Sequence, residues 1–400
     1  MPKNNFSEVK QYLLEFPNFL SIFLFALFFL LASPILLDIS KDTGLEAGNL
    51  SLIFTLYTVG GITGQLTSVF YSRTFKRLNI ILAGYFILLP ITTALYFTQT
   101  LIIFYILYFL AGYILGLIWI QVNINIFESV VKNKDRLTTM ALTFYPIGAF
   151  FAPMIASFIV KNNFNWRHIY GVIILFIIIT IILFIFITRK RKYFSKEGGR
   201  KTKLREVFSN KLNNILLLII SASIITYCLA ETVISTWSPT FFRLARSFDV
   251  QSAGLVVSVF WISIIIGRGI VSSLTGRVNS SYIMLGLAII AIISTTFAIY
   301  LDSTTLIFIT IFIAGLGFSG LFPLLISSGN KIFNKGKDLI ATILFASTNI
   351  GISLAPFLTK IISNRNLKLS VLISVIFMGI TFLLVLSHFL VKKINIKNQL

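Results

Sequence analysis

The chain has 400 residues, 56% of them hydrophobic and 12% charged, with a mean hydropathy of +0.92 and a formal net charge of +21. So apolar a composition excludes an ordinary soluble globule, and the polar residues fall in short gaps between apolar runs of about 20 residues, the length a helix needs to cross a bilayer. The basicity is no sign of nucleic acid, because it is sorted by side: with the N-terminus in the cytoplasm, 25 Lys and Arg fall on the inner segments and 8 on the outer loops.

Lipid offers backbone groups no water, so each run is expected to be a helix bonded within itself. Twelve are predicted, over 17–40, 45–71, 78–98, 101–127, 136–160, 166–188, 212–237, 249–276, 280–300, 304–328, 338–363 and 367–391. The first is too long for a signal peptide and lacks a small-residue cleavage site, so it reads as a retained helix. Between the sixth and seventh, Arg189, Lys190, Arg191 and Lys192 open a basic stretch that also holds Gly198 and Gly199. It reads as a cytoplasmic linker that anchors topology and can bind anionic lipid headgroups. The expectation is an all-α polytopic membrane protein of twelve transmembrane helices in two six-helix bundles, 1–188 and 212–400, joined by the linker 189–211. Both termini are then cytoplasmic. Cys228 is the lone cysteine and there are two His, which excludes an internal disulfide and leaves no set of ligands for a metal; neither metal nor cofactor is expected. No soluble domain is left to house an ATP-driven motor.

The chain also nearly repeats itself. Phe109–Ile159 laid over Phe312–Ile362 without a gap matches Ala111, Gly112, Lys132, Lys134, Asp135, Thr139, Gly148, Ala152 and Pro153 with the residue 203 positions later. Ala47, Gly48, Phe54 and Gly61 match at a spacing of 206. A direct repeat of two membrane-like halves points to a transporter built from a duplicated bundle, the halves related by an axis along the membrane normal. In the duplicated Gly-Xaa-Xaa-Xaa-Ala-Pro (Gly148–Pro153, Gly351–Pro356) the small residue lets helices approach and the proline permits a bend.

Of the 13 acids, Glu231 alone sits well inside an apolar run. A charged carboxylate at the centre of a bilayer costs about 2.5–3.5 kcal/mol, so it must be protonated for part of its life, paired, or facing a wet cavity. Tyr227, Glu231 and Ser235, spaced i, i+4 and i+8, share one helix face. In the fourth run Gln121 and Asn125 share another; amides there either join helices or line a passage, and they suit a neutral hydroxylated solute. Arg268 lies near the inner end of the eighth run, as a cytoplasmic gate that pairs with an acid or as a side chain snorkelling to the headgroups. Asp135 and Asp338, in the duplicated cytoplasmic loops, are the other gate candidates. Trp261, seven residues before Arg268, is a candidate for stacking on a sugar ring, and Tyr145 and Asn349 are candidates to face a cavity.

The stretch Glu231, Thr232, Val233, Ile234, Ser235, Thr236, Trp237, Ser238, Pro239 resembles the major facilitator superfamily, and within it the fucose–proton symporter type. Ala253-Gly254, Phe260-Trp261, Gly267-Arg268, Gly116 with Asn125, Gly315 with Phe322-Pro323, and Asn165-Trp166-Arg167 carry the same resemblance. It implies two six-helix halves working by alternating access, with helices 1, 4, 7 and 10 lining a cavity onto which the Gln121/Asn125 and Tyr227/Glu231 faces look. It departs from the superfamily's usual pattern between helices 2 and 3: Arg73, Lys76 and Arg77 keep the basic character while an aspartate and two glycines are missing. The fucose type also places acids in helices 1 and 4, where this chain has the apolar Phe28–Leu31 and Gln121; Asp38 stands two turns too far outward.

These residues favour a secondary transporter, working as a monomer, for a small polar solute such as a sugar, with Glu231 coupling it to protons. The alternative is an efflux carrier of the same superfamily for apolar or cationic compounds. A membrane enzyme would need a catalytic cluster that the sequence does not display, so no enzymatic activity is expected. The expected location is a bacterial plasma membrane.

Overall fold

A computed structural model of the chain describes residues 13–127, 134–188, 208, 210–333, 337–363 and 365–397. Twelve helices in it are long and apolar enough to cross a bilayer. They are α1 Phe16–Thr43, α2 Ala47–Ser72, α3 Arg77–Phe97, α4 Leu101–Ile126, α5 Met140–Lys161 and α6 His168–Ile187, then α7 Lys211–Ala245, α8 Val250–Leu274, α9 Ser280–Tyr300, α10 Thr304–Ile332, α11 Thr342–Ser363 and α12 Leu367–Lys393. Among the described residues the only β-type pairing is a single bridge between Thr275 and Val278. By contacts the chain forms two compact units, Met1–Lys196 with Asp249–Ser258, and Glu197–Phe248 with Val259–Leu400, so the first turns of α8 group with the first unit.

Each unit pairs its helices in the same way. In the first, α1 packs on α5 and α6, and α3 on α4 and α6; in the second, α7 packs on α11 and α12, and α9 on α10 and α12. The repeated glycines sit at helix crossings within each unit. Gly148 of α5 lies on the Phe23 carbonyl of α1, and Gly351 of α11 on the Ile225 carbonyl of α7. Gly112 of α4 lies on the Tyr57 carbonyl of α2, and Gly315 of α10 on the Phe260 carbonyl of α8. A Cβ at any of the four would overlap the facing backbone, so here glycine is what lets two helices touch. The sequence repeat is therefore a repeat of helix crossings.

Three departures from the predicted runs fall at a proline. α1 is two helical pieces, Phe16–Leu30 and Leu36–Thr43, joined by a 3₁₀ turn Ser33–Ile35 that holds Pro34, whose ring and missing N–H break the ladder. α7 was expected to stop at 237 but runs on through Pro239 to Ala245. A proline removes one ladder bond, and tertiary contact outweighs that here: the Trp237 indole Nε1 donates to Ser370 Oγ of α12 at 2.7 Å. α10, expected as one run, divides at Gly320 into Thr304–Ser319 and Leu321–Ile332. Pro323 has no N–H to offer the Ser319 carbonyl, so the ladder cannot continue across that turn.

Two polar clusters secure helix ends. Asp42 accepts from the Trp166 indole at 3.0 Å and pairs with Arg167 at 2.5 Å, while the Arg167 guanidinium lies 4.3 Å over the Trp166 ring. This ties the end of α1 to the start of α6. Asp249 caps α8, its Oδ1 accepting from Ser252 N at 3.0 Å, and the Ser252 side chain, helped by that backbone bond, holds its carboxyl below the usual carboxylate range. A depressed carboxyl contributes stability above its unfolded pKa of about 3.9 and loses it as pH falls through the folded value. Asp249→Ala is thus expected to destabilise the purified protein by about 1 kcal/mol near neutral pH. In thermal melts across acidic pH, wild type and variant should converge as the carboxyl protonates; a gap that persists in acid would remove the cap from the account.

Candidate functional site

Helical geometry turns α7 by about 100° per residue. Thr226, Ala230 and Trp237 therefore share one face, and it is bonded to α12: Thr226 Oγ1 to Thr381 Oγ1 at 2.8 Å, Ser374 Oγ donating to the Ala230 carbonyl at 2.9 Å, and Trp237 to Ser370. Leu229 and Val233 beside that stripe pack into a buried cluster with Ala355 of α11 and Ile373 of α12. With these two helices holding one side, Tyr227, Glu231 and Ser235 are presented on the other.

The three differ in what they do. Tyr227 is fully buried, its ring 5.7 Å from that of Phe318 and 6.3 Å from that of Phe322, both on α10. Its hydroxyl lies 2.5 Å from Glu231 Oε1 and 3.0 Å from the Phe318 carbonyl. Glu231 is half-buried and keeps part of its surface accessible. The Arg268 guanidinium of α8 acts on both Glu231 and Tyr227 at longer range, and Arg268 Nε is buried without an acceptor among the described residues. Ser235, 1% exposed, donates to the Glu231 backbone carbonyl at 2.9 Å and so serves its own helix. The acid is therefore set between a phenol and a distant cation, with room on one side. Such a carboxyl can hold or release a proton with a hydroxyl already in reach of it.

The other predicted residues spread over both units. Gln121 is 1% exposed and donates through Nε2 to Ser68 Oγ of α2 at 2.6 Å, so it joins α4 to α2. Asn125, one turn on, is 2% exposed. Trp261 is 3% exposed, its ring 6.0 Å from Phe260. Asn349 is half-buried on α11. Tyr145 is half-buried and joins an aromatic group absent from the sequence reading: Phe25 of α1 lies 4.9 Å from Trp119 of α4 and 6.3 Å from Tyr145, and Trp119 lies 6.4 Å from Tyr145. Tyr57 of α2 closes the group, donating to the Phe25 carbonyl at 3.0 Å. A cluster of Trp and Phe within a helix that is apolar all round gives no facial signal, which is why Trp119 escapes a sequence reading. The side chains of Asp135 and Asp338 lie outside the described residues. Among the described residues no three His, Cys, Asp or Glu come together as a metal set.

Comparison with known proteins bears on this arrangement. The family model described as Major Facilitator Superfamily matches residues 19–356. The chain is 20% identical over 334 residues to the glucose/mannose transporter GlcP of Bacillus subtilis (strain 168), covering 82% of this chain and 81% of that one. It is 23% identical over 380 residues to a protein TsgA homolog of Buchnera aphidicola subsp. Schizaphis graminum, covering 94% and 96%. Among solved structures it superposes on a D-xylose-proton symporter with a TM-score of 0.73 at 13% identity, over 95% and 97% of the two chains. The nucleoside transporter NupG gives 0.70 at 13% identity over 96% and 99%. At such identities the structures speak for the fold alone.

Proposed function

We propose that this chain, which belongs to the Major Facilitator Superfamily and is an integral membrane protein, is a secondary active transporter of a small, uncharged, hydroxylated solute, coupled to protons through Glu231. The observation that carries the reading is the half-buried Glu231 carboxylate, held at 2.5 Å by the Tyr227 hydroxyl inside a membrane span. Intramembrane acids are costly and rare, and a proton relay is among their few uses. The names of the similar proteins support the solute class: glucose and mannose, D-xylose with a proton, and a nucleoside are all neutral and rich in hydroxyls. The solute-binding residues we assign are Tyr227, Glu231, Trp261 and Asn349 of the second unit and Asn125 and Tyr145 of the first, while Gln121 and Ser235 bond to Ser68 and to the α7 backbone. Transport proceeds by alternating access between the halves 1–188 and 212–400, with 189–211 as linker and Arg268, Asp135 and Asp338 at the cytoplasmic gate. The chain works as a monomer, with both termini cytoplasmic, in a bacterial plasma membrane; the Lys and Arg distribution and the bacterial relatives support that placement.

A second reading, efflux of apolar or cationic compounds, is favoured by the half-buried Phe25, Trp119 and Tyr145 group, which would suit a planar apolar ligand. Proteoliposome uptake separates the two. Radiolabelled D-glucose, D-mannose, D-xylose and uridine are offered with an inward proton gradient and with the gradient collapsed by an ionophore. At least one should accumulate only under the gradient. Failure of all four, with gradient-driven extrusion of a fluorescent lipophilic cation, would transfer the assignment to efflux.

A further inference from the structure

We propose that Tyr227 is a positioning residue that passes the protonation state of Glu231 to the break in α10. The inference rests on the reading of Glu231 as the coupling carboxylate and goes beyond it, because it says what the proton moves.

The number of hydrogens decides which bonds can form. A tyrosine hydroxyl carries one, and here two acceptors lie within its reach: Glu231 Oε1 at 2.5 Å and the Phe318 backbone carbonyl at 3.0 Å. It can serve only one of them at a time. An ionised carboxylate is acceptor-only, and O–H to O⁻ bonds are the short, strong ones, about 2.5–2.7 Å, so an ionised Glu231 holds the hydrogen. When Glu231 takes up a proton it becomes a donor. Its new O–H points to the Tyr227 oxygen, and the tyrosine hydrogen turns to the Phe318 carbonyl. Tyr227 never loses its proton; one proton is gained, on Glu231, the Tyr227–Glu231 hydrogen bond reverses direction, and one hydrogen bond, to the Phe318 carbonyl, is added.

The second acceptor is well placed to matter. Phe318 lies in the last turn of Thr304–Ser319, where an α-helix leaves four carbonyls without an internal donor. Gly320 follows, then Pro323, which offers no N–H. A hydroxyl donated to that carbonyl steadies the break, and withdrawing it frees the two pieces of α10 to adjust. The contacts of the Tyr227 ring with Phe318 and Phe322 keep the hydroxyl in place in both states. Among the described residues the titratable groups acting on Glu231 are Tyr227 and Cys228 from its own helix and Arg268 from α8. α10 faces Tyr227 with two apolar rings, and the nearby side chains from α11 and α12 are Thr348, beside Cys228, and Ser374. None of these others can take the hydroxyl's place between the carboxylate and the Phe318 carbonyl.

The test is hydrogen–deuterium exchange of the full-length protein in detergent, with protons as the only ligand, in acidic and in alkaline buffer and after correction for the intrinsic pH dependence of exchange. In the wild type, peptides spanning 316–324 should exchange roughly five- to tenfold more slowly in acid, the effect of one net hydrogen bond. Tyr227→Phe keeps the ring and should abolish that pH difference, as should Glu231→Gln. Ratios within one variant are insensitive to a uniform loss of stability, which is all that a merely structural tyrosine would produce. If Glu231→Gln loses the pH difference while Tyr227→Phe keeps it, the relay is overturned and the coupling carboxylate stands. If Glu231→Gln keeps it, the reading of Glu231 itself fails. Should Tyr227→Phe not fold, 3-fluorotyrosine at 227 keeps ring and hydroxyl while strengthening the donor; it must move the pH midpoint of protection, and an unmoved midpoint overturns the relay.

Discussion

Leucine at Gly148 or at Gly351 is expected to leave little folded protein, and to do so to the same degree in both halves. A Cβ at Gly148 runs into the Phe23 backbone carbonyl, and one at Gly351 into the Ile225 carbonyl, with Cys228 Cβ 2.9 Å away. A flexible side chain could swing aside, but a helix backbone cannot, so α1 must retreat from α5, or α7 from α11, along the whole contact. Overpacking by even a few methylenes costs about 1–3 kcal/mol in a packed interior, and displacing a helix costs more. A drop in the melting temperature of at least about 5 °C, or loss of the monodisperse peak in size-exclusion chromatography, is the expected reading. Glycines in open surroundings are the control. Gly171 and Gly286 have nothing within 4 Å of a built Cβ, and alanine there should be neutral or stabilise by up to about 1 kcal/mol. If Gly148→Leu and Gly351→Leu melt like wild type, the close crossings do not hold the bundles together.

Those two glycines also mark how far the sequence could be read. Gly148 and Gly351 match at 203 residues, and their crossings match as well, because close helix approach in lipid demands a small residue at one place and the chain has kept it twice. The twelve spans were legible for an equally simple reason, the thickness of the apolar layer. Helix ends were less so. The run predicted to end at 237 goes on past Pro239, where the Trp237–Ser370 bond holds the helix, and that partner lies 133 residues away where no local pattern records it. Gly320 and Pro323 together did contain the signal for the break in α10, but in an otherwise apolar run it was outweighed by hydropathy. In the candidate site, the spacing of Tyr227 and Glu231 was enough to place them together. It could not say that Gln121 spends its amide on Ser68 or that Ser235 bonds its own backbone, since a polar side chain inside a membrane serves a helix contact and a passage equally well until its neighbours are known. Trp119 and Phe25 were invisible because an apolar residue in an apolar helix has no distinguishing face.

Glu231→Gln should separate exchange from accumulation. The amide has nearly the volume of the carboxyl and can still accept from the Tyr227 hydroxyl, so the 2.5 Å contact is kept in lengthened, neutral form and the bonds from α7 to α12 are untouched. What is removed is the capacity to titrate. If solute and proton each alter the other's affinity at this site, the coupling is reciprocal, and a site that cannot bind a proton cannot draw solute inward on a proton gradient. Counterflow of a labelled sugar between equal pools needs no gradient and should persist, whereas uptake under an imposed gradient should fall to the equilibrium level and lose its pH dependence. A companion variant sharpens the result. Arg268 acts on Glu231 from a distance, so Arg268→Ala should move the pH midpoint of uptake while leaving the pH dependence in being. Uptake by Glu231→Gln that still exceeds equilibrium with the wild-type pH profile would make Glu231 a structural acid and place the coupling group elsewhere. Loss of counterflow together with accumulation, in protein that melts normally, would instead make the carboxylate part of solute binding itself, since an amide can reproduce its shape but not its charge-assisted hydrogen bonds.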